Sequence, residues 1–146
     1  MYSPLVQLDD ELQYRELYNK IYCKETIYTY DGYVVSFSPK TFDHAFFSSS
    51  NRRVRDKSIF NTERATRILW IKKVLEDATL TLYAGWDTTR KKYDASRRVC
   101  LVTDDGYVVV LRKASKIKFI FVTAYVIDSD EVKQKIMASP IWSHNT

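Results

Sequence analysis

Three small groups of residues in this chain are suited to chemistry: a histidine inside a foldable stretch, His44; two arginines three apart, Arg64 and Arg67; and two hydroxyls two apart closing an apolar run, Thr123 and Tyr125. An imidazole can take or give a proton near neutral pH. Guanidiniums hold the charge of a phosphate, and hydroxyls position a substrate or donate hydrogen bonds to it. These parts suffice for RNA cleavage in which the ribose 2′-OH is the nucleophile. A base removes its proton, cations hold the phosphate charge and an acid protonates the leaving oxygen, so the protein needs no cysteine, serine or metal.

Other chemistries lack their parts. The chain has no Gly-rich phosphate loop, no zinc spacing and no His-Glu-x-x-His, and its histidines are His44 and His144 alone. A histidine-rich metal site is thereby excluded, and no metal or other cofactor is expected. The absence of a Gly-x-Ser-x-Gly elbow argues against a serine hydrolase. Cys23 and Cys100 are far apart and match no redox or metal spacing. A reduced, cytoplasmic setting is the default, with a disulfide still open. The first residues carry neither the basic start nor the apolar run of a signal peptide, and no stretch approaches membrane-spanning length, so no membrane partner is expected. A net charge of +5 and a pI near 9.1 suggest an anionic partner such as nucleic acid, although many basic proteins bind none.

The elements that must position these residues follow from periodicity. The longest apolar run, 116–127, reads as a central strand. Strict alternation would put Ile117, Phe119, Phe121, Thr123 and Tyr125 on one face, and Lys118, Ile120, Val122, Ala124 and Val126 on the other. The first face starts apolar and ends in hydroxyls, as a strand does when it enters a polar site or simply reaches a sheet's rim. Strands at 79–83, 98–103 and 107–112 precede it with short connections, which implies an antiparallel meander. A basic loop, 87–96, contains Arg90, Lys91, Lys92 and Tyr93.

A helix over 63–77, capped by Asn61 or Thr62, carries the stripe Ile68, Ile71, Val74, Leu75 and Ala78. Arg64 and Arg67 fall within that stripe at its N-terminal end. A guanidinium there must snorkel past the edge, pair with a buried acid or line a cleft. Further toward the N-terminus come a helix over 9–22, a hairpin turning at Asp31-Gly32, and a short helix opened by Ser38-Pro39. That short helix turns Phe42, Ala45 and Phe46 inward and His44 outward, toward solvent or a site. Arg52, Arg53, Arg55 and Lys57 form a basic cluster that suits a solvated loop or contact with an RNA backbone. A last helix begins after Ser129, and 139–146 is expected to be a loose tail. The chain reads as one α+β domain of 146 residues, with helices packed on an antiparallel four-stranded meander and an N-terminal helix and β-hairpin.

Phe42-Asp43-His44-Ala45-Phe46, then Arg64-Ala65-Thr66-Arg67-Ile68-Leu69-Trp70-Ile71, then a meander ending Phe121-Val122-Thr123-Ala124-Tyr125, resemble the phage-borne nucleases of the barnase–EndoU–colicin–RelE superfamily. The resemblance spans about 33–128. It implies a helix packed on an antiparallel sheet, RNA cleavage without metal, and use as a toxin or phage effector, with an immunity or antitoxin protein as partner. Carried over by position, Arg64 and Arg67 would bind the scissile phosphate, His44 would be acid or base, and Thr123 and Tyr125 would position the substrate. Arg67, Thr123 and Tyr125 are then expected to converge on one cleft, with Arg64 at its rim and His44 within reach of a bound phosphate. Lys91 and Lys92 match no motif and are RNA contacts by charge alone. Two rival readings are an RNA-binding protein without catalysis on the same scaffold, and a phage structural or adaptor protein.

Overall fold

The computed structural model describes residues 5–48, 59–87, 92–102, 106–127 and 129–142, without the side chains of 48, 86–87 and 92–95. Asp10 accepts the Gln13 N–H at 3.0 Å and so caps helix α1 (Glu11–Tyr18), which continues into a π-helical turn, Asn19–Cys23. The stripe this segment buries is Tyr14, Tyr18 and Tyr22, and Leu12 is exposed. Strands β1 (Ile27–Tyr28) and β2 (Val34–Ser36) form the hairpin, with Gly32 at φ +91° where the turn needs a left-handed residue. Ser38 caps a 3₁₀ turn, Pro39–Thr41, leading into helix α2 (Phe42–Ala45). Strands β3 (Phe47–Ser48) and β4 (Ile59–Phe60) make a small separate ladder.

The helix expected over 63–77 is in fact two, α3 (Thr62–Ala65) and α4 (Trp70–Glu76). The Tyr22 hydroxyl donates to the Ile68 carbonyl at 2.5 Å and accepts from the Lys72 N–H at 3.1 Å. These are the two groups a continuous helix would have joined to each other, so a side chain inserted into the ladder is what interrupts it. With α4 ending at Glu76, Ala78 lies in a turn and is exposed rather than in the core.

Strands β5 (Thr81–Asp87), β6 (Lys92–Val102), β7 (Tyr107–Lys113) and β8 (Lys118–Val126) follow, then helix α5 (Asp130–Met137). The fold is α+β. Its main sheet has six strands in the order β1-β2-β8-β7-β6-β5, antiparallel except that β2 runs parallel to β8. The hairpin expected to stand apart from a four-stranded sheet is therefore part of it. Much of the expected basic loop is strand as well, since Lys92–Asp94 pair with Gly85–Asp87. Because β2 pairs with β8 only as far as Ser36↔Ile120, the later part of β8 is free for α2 and α3 to pack against.

The sheet's first face carries the main core, where Ile68, Ile71, Val74 and Leu75 meet Cys100, Val109, Leu111, Phe119 and Phe121. Its second face holds a smaller cluster of Tyr83, Val99, Leu101, Val108 and Val110 under Ile136 and Val132 of α5. The described part of the tail expected to be loose, 139–142, is held in place: Ile141 bridges to Tyr83, the Trp142 N–H donates to the Leu82 carbonyl, and the Trp142 indole is buried. Among the described residues, no helix is long and apolar enough to cross a membrane.

Candidate active site

The chemistry-bearing residues of β8 reach the second face through a bulge. Leu111 pairs with Phe121, but Val110 pairs with Thr123, which leaves Val122 as an extra residue. That insertion resets the alternation. Phe119 and Phe121 point into the main core, Ala124 takes over that side, and Tyr125 joins the cluster under α5. The expectation that Phe121, Thr123 and Tyr125 share a face is thereby corrected.

Thr123 and Tyr125 line a hollow of about 310 Å³ with Arg97 and Lys135, over a floor of Val99 and Val110. A second, more open hollow of about 340 Å³ lies along β8 and is lined by Lys40, Thr41, His44, Arg112 and Ile120. The Arg97↔Arg112 register pair of β6 and β7 contributes one arginine to each hollow. Cross-strand partners point to the same side of a sheet, and like charges set directly opposite each other are destabilising. Arg97 is half-buried and Arg112 exposed. Arg97 packs against Gly85, where a Cβ would come within 2.8 Å of the Arg97 Cβ. The approach coincides with a register slip in β6, between Ala84↔Arg98 and Gly85↔Asp94.

Arg64 and Arg67 part company. Arg64 donates to the Ala45 carbonyl at 3.1 Å and sets its guanidinium 5.6 Å from the centre of the Tyr125 ring, tying α3, α2 and the end of β8 together. Arg67 instead folds back on its own segment. It donates to the Glu63 carbonyl at 2.8 Å and lies 5.1 Å over the Trp70 ring. The expected convergence of Arg67 with Thr123 and Tyr125 therefore does not occur; Arg97 occupies the place assigned to it. His44 is exposed and lines the second hollow together with Arg112.

Arg52, Arg53, Arg55, Lys57, Lys91 and His144 lie outside the described residues, and Lys92 starts β6 opposite Asp87. Sequence reasoning missed Lys40, Arg97, Arg112 and Lys135. For the two arginines a signal was available: each flanks an apolar strand run, and alternation with Val99 and Val110 points it away from the main core. Among the described residues, no three His, Cys, Asp or Glu side chains gather where they could hold a metal ion.

The neighbouring Arg98 has a different role. It is fully buried on the first face and donates to both Asp31 carboxylate oxygens, at 2.9 and 3.1 Å. Tyr30, Tyr33, Phe119 and Trp142 surround its guanidinium at 5.0–5.9 Å. The pair fixes the hairpin turn to β6. Burial tends to push the Asp31 carboxyl up, but hydrogen bonds from Arg98 and Thr29 and the Arg98 charge outweigh it and hold the pKa below the ordinary value. Burial raises the Cys100 thiol, as suits a packing residue rather than a nucleophile.

No family model matches the chain, and no curated protein or solved structure is significantly similar to it.

Proposed function

We propose that the two hollows form the active site of a metal-independent endoribonuclease of the barnase–EndoU–colicin–RelE type, serving as a toxin or phage effector. The observation that carries this reading is the Arg97↔Arg112 pair. The pair sets two arginines at partner positions on one face of the sheet, one lining each hollow, and guanidiniums are suited to hold a phosphodiester in a bidentate manner. His44, lining the same hollow as Arg112, supplies a titratable group, and Thr123 and Tyr125 supply hydroxyls in the hollow of Arg97. In the reaction His44 takes the 2′-OH proton, and the 2′ oxygen bonds to the adjacent phosphorus. Arg97 and Arg112 hold the charge that develops there. The bond from phosphorus to the 5′ oxygen breaks, and that oxygen is protonated from the Tyr125 side, leaving a 2′,3′-cyclic phosphate and a free 5′-OH. Arg64 acts through Tyr125 as a positioning residue. RNA is the substrate, the cytoplasm of the target cell its source, and an immunity or antitoxin protein the partner a toxin requires.

The exposure of His44 favours a second reading, RNA binding on the same surface without cleavage. Incubation with total RNA in EDTA separates the two. Cyclic-phosphate ends that form with the parent protein and not with His44→Ala support the nuclease. Salt-sensitive binding with intact RNA supports the binder.

A further inference from the structure

The half of the second face beyond α5 has a composition that the hollows alone do not explain. Register partners define two rows on it. Tyr28, Val34 and Lys118 lie side by side on β1, β2 and β8, and Ser36, Ile120, Arg112 and Arg97 lie side by side on β2, β8, β7 and β6. Both rows share the second face, because the residues next to them in sequence, Ile27, Val35, Phe119 and Leu111, are buried in the main core. Lys118 and Arg112 are exposed. So is Tyr28, at 54%, which alternation with the buried Ile27 turns to the second face with its ring open to a partner.

We propose that this surface is a track for single-stranded RNA, leading from the active-site hollows across Arg112 and Lys118 to a base-stacking platform at Tyr28. The proposal rests on the nuclease reading for its polarity, with chemistry at one end and Tyr28 at the other. Four strand spacings separate β6 from β1, roughly 19 Å at ~4.8 Å each, which exceeds the span of a single nucleotide. Cations spaced along a sheet face that ends in an aromatic ring are what a flexible, unpaired strand needs: phosphates follow the charges, and an unstacked base finds a ring face. A duplex keeps its bases stacked and cannot use Tyr28. An acidic peptide would use the cations and gain little from the ring.

The test uses the full chain and a mixed-sequence octamer of 2′-O-methyl RNA, which has no free 2′-OH to attack, with affinity read by fluorescence anisotropy. A dinucleotide serves as the short probe. Tyr28→Leu should weaken octamer binding about 5- to 150-fold, the contribution of one stacked base, and leave dinucleotide binding unchanged. Tyr28→Phe should retain octamer affinity, which separates stacking from a general loss of fold. On cleavable RNA, Tyr28→Leu should raise KM for long substrates at constant kcat and leave dinucleotide turnover alone. Octamer binding by Tyr28→Leu equal to the parent overturns the track while cleavage still supports the nuclease. Tyr28-dependent binding without any cleavage supports the track and removes the nuclease. Equal affinity for duplex RNA, or displacement by polyglutamate as effective as by RNA, also overturns the track.

Discussion

Arg97 and Arg112 are direct partners across β6 and β7, with their side chains on the same face of the sheet. Like charges at directly opposed positions repel, so substitution of the exposed partner should separate stability from function. Arg112→Ala, at an exposed position, is expected to leave thermal stability unchanged or raise it by up to about 1 kcal/mol by relieving the repulsion. Cleavage should slow roughly 10²–10³-fold, the usual loss when a preorganised charge is removed from a transition state. Thermal melts beside turnover in EDTA provide the check. A variant that melts lower and cleaves normally would make the pair structural.

His44 is exposed and shares the lining of the second hollow with that arginine. His44→Ala should reduce turnover about 10²–10⁴-fold with little effect on the fold, because the core residues of α2 are Phe42 and Ala45. The pH–rate profile is the sharper reading. Removing a general base should abolish the acidic limb of the bell, and loss of rate with both limbs intact would demote His44 to a binding residue.

A different pair holds the scaffold. Asp31 and Arg98 are 67 residues apart in sequence, and the guanidinium is wholly buried. Asp31→Asn leaves that charge without its partner and is expected to destabilise the fold by about 3–5 kcal/mol. The folded carboxyl has its pKa below the ordinary value, so the unfolded chain takes up the proton first as pH falls. The contribution of the pair is complete above the unfolded value of about 3.9 and is lost as pH drops through the lower folded value. Urea melts between pH 3 and 7 should show an acid-side decline that Asp31→Asn lacks. A parallel decline in both proteins would place the acid sensitivity elsewhere.

The limits of legibility in the sequence have local causes. The runs of β5, β7, β8 and the later part of β6, the Asp31-Gly32 turn and the caps at Ser38, Asn61 and Ser129 were readable because each depends on residues within a few positions. The β8 bulge was not, because nothing in Phe121-Val122-Thr123 marks the residue that β7 leaves unpaired. That one insertion moved Thr123 and Tyr125 to the other face and changed which arginine they meet. The interruption between α3 and α4 was hidden for a related reason. It depends on Tyr22, about fifty residues earlier, placing its hydroxyl between Ile68 and Lys72. Arg98 read as an ordinary strand boundary, since its partner Asp31 was already accounted for as a turn residue. Interactions between distant segments set the site; the sequence pattern set the elements.

Gly85 offers the most specific test of how that site is held. It lies opposite the register slip in β6, and a Cβ there would sit 2.8 Å from the Arg97 Cβ, 3.2 Å from its Cδ and 3.3 Å from a Val99 methyl. Carbon atoms do not approach so closely, and the Arg97 Cβ is fixed to its backbone, so the strand segment bearing Arg97 must move. Val99 belongs to the buried cluster under α5 and has little room, whereas the slipped segment beside Gly85 is already out of regular pairing. Gly85→Ala should therefore displace Arg97 while the fold persists. A displacement near 1 Å at a positioning group can lower the rate about 10²-fold. Arg97→Ala keeps the Cβ, so the strand still shifts, but no guanidinium remains to be displaced; if Gly85 matters only by placing that group, its effect on rate should vanish. Gly85→Ala/Arg97→Ala should then be no slower than Arg97→Ala alone, a strong departure from additivity. Turnover of the parent, the two single variants and the double variant completes the cycle. Additive losses would mean that Gly85 serves the hollow by a route independent of Arg97.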